Sequence, residues 1–274
     1  MRAIDFEYDG QYLSDYGFII CDFDASTGIA EADAGSNITF NKVARDSGKK
    51  FSLASAVYDE CITTTFDICK NDEIYDQDQM EISNDEYRDL MRWLNRREFL
   101  KFQVIDDSIE EFERDTCYYN ASFNIDKIKI NEKLVGMRLT METDKPFGYG
   151  QEQTVSWTFG DTNVSKILSD ISDEVGSIFP TLTITCQRNG DLSIYNELED
   201  CTTTIKNCTM GEVITLNGDT QIISTTYSSH DICNDFNFEF FRIGNTIETR
   251  NNRISVSNPC KLVIKYTPII KDTP

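Results

Sequence analysis

The stretch Thr181-Leu182-Thr183-Ile184-Thr185-Cys186-Gln187-Arg188-Asn189-Gly190-Asp191-Leu192-Ser193-Ile194 decides how the chain is read. Leu182, Ile184 and Cys186 alternate with Thr, and Leu192 and Ile194 resume the alternation beyond Asn189-Gly190. A side-chain period of two is that of a strand with one face buried. Asn-Gly between two such runs predicts a tight hairpin, because both residues tolerate positive φ. The pattern recurs downstream. Ile214 and Leu216 lead to Asn217-Gly218 and return through Ile222-Ile223, and Phe236, Phe238 and Phe240 alternate before a turn at Gly244-Asn245 into Thr246-Ile247. Ile254-Ser255-Val256 and Leu262 to Tyr266 complete the set. Short strands punctuated in this way predict a β-sandwich.

Upstream the chain is also strand-rich. Ile4-Asp5-Phe6-Glu7-Tyr8 alternates apolar and acidic residues and meets a turn at Asp9-Gly10. Strands are expected at Gly17 to Cys21, from Ile38 to Phe40, from Cys61 to Ile68, from Phe99 to Ile105, from Cys117 to Ile130, and along the alternating Val135, Met137, Leu139 and Met141. One helix interrupts them. Ser83 and Glu86 form a capping box, and Tyr87, Leu90, Met91 and Leu94 make one apolar stripe. Acids open this helix and Arg92, Arg96 and Arg97 close it, as the helix dipole favours. Trp93 falls off the stripe and is read as cover for a neighbouring edge. Thr143 to Gly150, with one Pro and two Gly, breaks the pattern and predicts a boundary between domains 1–150 and 151–274.

Composition narrows the function. The 274 residues carry 47 acids against 26 bases, a formal charge of −21. Such a surface repels nucleic acid, whose binding relies on Lys and Arg displacing counterions. Nine cysteines, with no CxxC pair, match no zinc or redox motif and are read as reduced thiols, with a disulfide left open. The opening residues Met1 to Phe6 show no secretory h-region, and no run approaches 18 apolar residues.

Signals for chemistry are weak. His230, alone of its kind, lies in the polar run Ser228-Ser229-His230-Asp231 and is expected to be a solvated side chain, with no GxSxG elbow to serve. Histidine-built metal sites are excluded by number. The acidic run Asn71 to Glu81 lacks the glycine and ligand alternation of a calcium loop. Phosphate-cradling motifs are absent, so no cofactor is expected. Trp157, in the strand Thr154 to Phe159, would stack on a sugar if exposed and belong to the core if buried; core is the favoured reading. No pair among the many carboxylates stands out for glycoside hydrolysis, and no catalytic residue is assigned.

The order of segments resembles the distal tail proteins of siphophages (the Dit-like family). The likeness runs through Phe6 to Gly10, Leu13 to Ile19, Glu142 to Gly150, Gly176 to Ile184, Gly211 to Leu216 and Phe240 to Ile247. Each piece is short, and their order carries the resemblance. It implies a mainly β chain: an N-terminal β-sandwich-like ring domain with one α-helix and an arm, then a galectin-like β-sandwich. It implies a virion protein, made in the bacterial cytoplasm, whose six copies close into a ring. The ring would join the major tail tube protein to tail-tip proteins, sit near a receptor-binding protein, and let DNA pass without specific binding. Ala25 to Ser36 and Asn71 to Met80 are then candidates for inter-subunit arms. The family supplies no catalytic residue. An adhesin gripping host wall polysaccharide through the second domain, with Trp157 as the stacking residue, remains the alternative.

Overall fold

The structure is a computed structural model that describes residues 3–23, 38–45, 50–106, 117–160 and 164–271. It divides into two compact units, Met1–Tyr149 with Lys271–Pro274, and Gly150–Ile270.

The first unit is built on a seven-stranded antiparallel sheet. Its strands are β1 (Ala3–Tyr8), β2 (Gln11–Tyr12), β3 (Phe18–Cys21), β6 (Thr63–Lys70), β7 (Leu100–Asp106), β8 (Tyr119–Ile130) and β9 (Lys133–Thr143), in the order β2-β1-β7-β8-β9-β6-β3. Two further strands, β4 (Ile38–Arg45) and β5 (Lys50–Tyr58), pair with each other in a separate ribbon, and β10 (Gly148–Tyr149) bridges to Tyr118. Two hairpins close through positive-φ pairs, Asp9-Gly10 between β1 and β2 and Asn131-Glu132 between β8 and β9. These left-handed residues match the twist of the strands they join.

Helix α1 (Asn84–Leu94) begins as its capping box requires: Glu86 N–H donates to Ser83 Oγ, and Ser83 N–H donates to Glu86 Oε2 at 2.7 Å. Burial pushes Glu86 up, but hydrogen bonds from Lys70 and Ser83 leave its carboxyl below the ordinary value. Trp93 corrects the expectation of an edge cover. It is 3% exposed, stacks on Phe6 (5.7 Å, 14°) and on Tyr16 (4.5 Å, 14°), and donates its indole N–H to the Tyr8 carbonyl at 2.9 Å. Phe66, Phe102 and Phe123 continue this aromatic cluster around Phe6. The helix therefore buries a face wider than the four-residue stripe, because the aromatic side chains of β1 meet it from the side.

The second unit is a two-sheet sandwich. One sheet holds β11 (Gln153–Phe159), β14 (Thr181–Cys186), β17 (Val213–Asn217), β18 (Ile222–Thr225) and β21 (Cys260–Tyr266) in the order β11-β21-β14-β17-β18. The other holds β12 (Lys166–Ser169), β15 (Gly190–Asn196), β16 (Cys201–Cys208) and β20 (Asn251–Val256) in the order β12-β20-β15-β16. A short pair, β13 (Gly176–Ile178) with β19 (Ile243–Asn245), and the four-residue helix α2 (Ile232–Asp235) complete it. Leu182, Ile184, Leu192, Ile194, Ile214, Leu216, Ile254, Leu262 and Ile264 fill the space between the sheets. Alternation thus marked the buried faces, as period-two burial demands.

Several turns differ from expectation. β14 and β15 lie in different sheets, so Asn189-Gly190 arches across the core and does not close a hairpin. β17 and β18 do pair, but their loop runs from Gly218 to Gln221, and the left-handed residue is Gln221 (φ 54). Gly244 and Asn245 lie inside β19: Asn252 Oδ1 accepts from Gly244 N–H at 2.7 Å, and Asn245 donates to Asp170 at 3.1 Å. Phe236 to Phe240 form no strand, since Phe238 is left-handed (φ 59). Replacing Trp93 with Ala removes the stack and the indole hydrogen bond together. We expect a loss of about 3–5 kcal/mol in urea unfolding of the first unit; a loss below about 1 kcal/mol would place the stabilising contacts elsewhere.

Candidate functional site

The feature most in need of a partner is the β4–β5 ribbon. Ile38 faces Tyr58 and Phe40 faces Ala56 across the two strands, on one face. Ile38, Phe40, Val43, Leu53 and Val57 are 42–59% exposed. Among the described residues the ribbon pairs with no other strand. At its base Tyr58 packs edge-on against Phe147 (6.4 Å). Lys42, Arg45 and Lys50 lie along it in a chain of net charge −21. Of the two expected arms, Ala25 to Ser36 lies outside the described residues, and Asn71 to Met80 is an exposed loop. That loop is held at its end by Lys70, which donates to the Gln79 and Glu81 carbonyls at 3.1 and 2.9 Å. The second strand of the ribbon, Lys50–Tyr58, escaped sequence reading because Ser and Ala dilute its alternation.

His230 corrects the expectation of a solvated loop residue. Its side chain is 4% exposed, with Nδ1 2.6 Å from Glu212 Oε1 and Nε2 3.3 Å from Asp235 Oδ2, the second contact misaligned for a hydrogen bond. Glu212, fully buried, also accepts from Thr209 N–H at 2.8 Å and from the Thr225 hydroxyl. Burial alone pushes His230 down, but the hydrogen bond and charge of Glu212 and the charge of Asp235 leave it above its ordinary value. Burial likewise pushes Glu212 up, and its hydrogen bonds from Thr225 and His230 hold it below. The cluster ties β17, β18 and α2 together. Its signal in the sequence was absent, since Glu212, eighteen residues before His230, reaches it only on folding.

Trp157 lies on the edge strand β11 opposite Leu262, half-buried, packed against the sandwich core and edge-on to Phe159 (6.2 Å, 88°). Among the described residues no cluster of three or more His, Cys, Asp or Glu is placed to hold a metal, and no helix is long and apolar enough to cross a membrane. The depressions beside α1, lined by Arg96 with Asn95, Phe99 and Ser122 in one and with Tyr16 and Trp93 in the other, have volumes of about 240 and 270 Å³. Both are smaller than ordinary small-molecule sites, which run from about 300 to 1,000 Å³.

The buried ion pair has a predictable pH signature. The histidine contribution is complete below its ordinary 6.5 and is lost as pH rises through the raised folded value. The glutamate contribution is complete above its ordinary 4.5 and is lost as pH falls through the lowered one. The stability of the second unit should therefore peak between these limits. His230→Ala, which leaves Glu212 buried without its cation, should cost about 3–5 kcal/mol and flatten the alkaline side of that profile in denaturant titrations. An unchanged profile would remove His230 from the account. Trp157→Ala should cost about 2–4 kcal/mol by the same assay, since its ring rests on the core; no loss would make it a surface residue.

Comparison with known proteins fits this geometry. Residues 1–145 match the model of a phage tail protein N-terminal domain, and residues 147–266 that of a phage tail C-terminal domain. Curated proteins give no significant match. Among solved structures, the Dit protein of phage SPP1, described as a paradigm of hub adsorption apparatus in phages infecting Gram-positive hosts, superposes with a TM-score of 0.67 at 12% identity, covering 97% of this chain and 99% of that one. At that identity the likeness speaks for the fold, which is that of a distal tail protein. With both halves matched by one pair of tail domains, the chain belongs to this phage tail protein family and is a structural component of the virion tail.

Proposed function

We propose that the chain is the hub of a tail tip or baseplate, six copies closing into a ring between the last tail-tube ring and the tip proteins, with DNA passing through the lumen. The observation that carries this reading is the β4–β5 ribbon. One of its faces exposes Ile38, Phe40 and Leu53, which a second copy can cover, and heterologous contacts that close leave none unsatisfied. The acidic balance supports a wall past which a polyanion slides without sticking. Under this reading the protein is not an enzyme; it is made in the bacterial cytoplasm, and its partners are the tube protein, the tail-tip protein and the receptor-binding apparatus.

Light scattering of the purified native chain, with negative-stain images of the same sample, tests this. A hexameric ring with a central hole is expected. Phe40→Ser with Leu53→Ser should shift assembly to at least tenfold higher protein concentration, because truncating central apolar anchors costs about 1–2 kcal/mol each. Their exposure means the melting temperature of the chain itself should hardly move. A ring that survives both substitutions unchanged would show that the ribbon is not the joint. A sugar-gripping role for the second unit rests on the half-exposed indole of Trp157; glycan-array binding that disappears in Trp157→Phe would support it.

A further inference from the structure

Two cysteines in the first unit stand in a relation that the tail reading does not use. β3 is the edge strand of the seven-stranded sheet, and its register on β6 sets Ile19 against Cys69 and Cys21 against Asp67. Residues two apart on a strand share a face, so Cys21 and Cys69 are diagonal neighbours on one side of the pair. That side faces away from the core, which Phe66 and Ile68 meet from the other. It also carries the Asp67–Arg138 pair (2.8 and 2.9 Å) and Gly136, where a Cβ would lie 2.4 Å from the Phe23 ring. Both thiols are half-buried, and each acts on the other: the neighbouring Cys69 raises Cys21, while the neighbouring Cys21 lowers Cys69. None of the nine cysteines is in a disulfide.

We propose that Cys21 and Cys69 are a modification site at which a small disulfide oxidant, glutathione disulfide or its equivalent, converts the folded chain to an intramolecular disulfide. The Cys21 thiol beside it holds the Cys69 thiol below its ordinary value against the opposing effect of burial, so Cys69 supplies the thiolate. Its sulfur attacks one sulfur of the oxidant; the oxidant's S–S bond breaks and one thiolate leaves. The Cys69 sulfur is then neutral, which removes the chief cause that raised Cys21. Cys21 gives its proton to the departed thiolate and attacks the Cys69 sulfur, and the second oxidant thiolate leaves and is protonated. Two protein thiols are oxidised by two electrons, and one small disulfide is reduced to two thiols.

Closure requires the end of β3 to shift inward by about an ångström. A disulfide spans Cα atoms about 4.4–6.8 Å apart, whereas diagonal strand neighbours stand about 7–8 Å apart. Cys21 is the last residue of an edge strand paired on one side only, so that shift disturbs a single ladder. The closed loop would contain the whole β4–β5 ribbon, fixing its root to the sheet once the chain leaves a reducing compartment. The chemistry stands on the first unit's geometry and does not depend on the ring. A second thiol pair in contact, Cys186 and Cys208, is 3% and 2% exposed. It should stay reduced in the folded chain, since the oxidant cannot reach it.

The test is to incubate the folded full chain with glutathione disulfide, remove the oxidant, block residual thiols with a maleimide in denaturant, and map the digest by mass spectrometry. The expected result is a Cys21–Cys69 linked peptide, loss of two of the nine maleimide-reactive thiols, an upward melting shift and full reversal by dithiothreitol. Cys21→Ser should trap the mixed disulfide on Cys69, and Cys69→Ser should leave Cys21 unmodified. Wild-type Cys21 and Cys69 that are both recovered blocked, or each bearing its own glutathione without a cross-link, would overturn the proposal. The wild-type map decides this whatever the variants' stability.

Discussion

A two-stranded ribbon has no second layer of its own, and this constraint governs the functional account. Strands paired only with each other are marginal in water, yet β4 and β5 carry Ile38, Phe40, Val43, Leu53 and Val57 toward solvent. The rest of the first unit solves the same problem internally. Its sheet buries Phe6, Tyr8, Phe102 and Phe123 beneath α1, and Trp93 is held between Phe6 and Tyr16. Among the described residues of one unit, the contrast between a packed sheet and an exposed ribbon is what the proposed joint rests on.

The second unit is different in kind. Its sheets face each other across a complete core, and several of its buried polar groups are matched within it. Asn252 bonds Gly244 from both ends of its amide, Asn245 bonds Asp170 and the Ser172 carbonyl, and Glu212 is satisfied by His230, Thr225 and Thr209. Buried polar groups satisfied within one fold specify its packing. The titratable cluster around His230 is an internal fastener, and the unit reads as a scaffold, in keeping with the tail family to which the chain belongs.

The legible parts of the sequence were those where one local rule acts alone. Alternation found the buried faces of β9, β14, β15 and β21, and the Ser83–Glu86 box found the start of α1. Turn chemistry was less reliable. Asp9-Gly10 closes a hairpin as expected, whereas Asn131-Glu132 does so with no glycine, and Asn189-Gly190 instead carries the chain between sheets. An Asn-Gly pair states what φ is affordable, not which strand comes next. Trp93 and His230 were misplaced for a common reason: their partners, Phe6 and Tyr16 in one case and Glu212 and Asp235 in the other, are brought to them by tertiary structure. The ribbon was half legible, since Phe40 signals a strand and Ser52 to Ala56 conceal its mate.

The account turns on what covers Phe40 in the assembled tail. A photo-cross-linking amino acid placed at position 40, activated in intact particles, reads this directly. The account predicts a covalent product joining two copies of this chain, mapped to one neighbour's surface. Exclusive reaction with water, or with residues of the same copy, would contradict it, since the ribbon would then be exposed in the finished particle and could not be the joint that closes the ring.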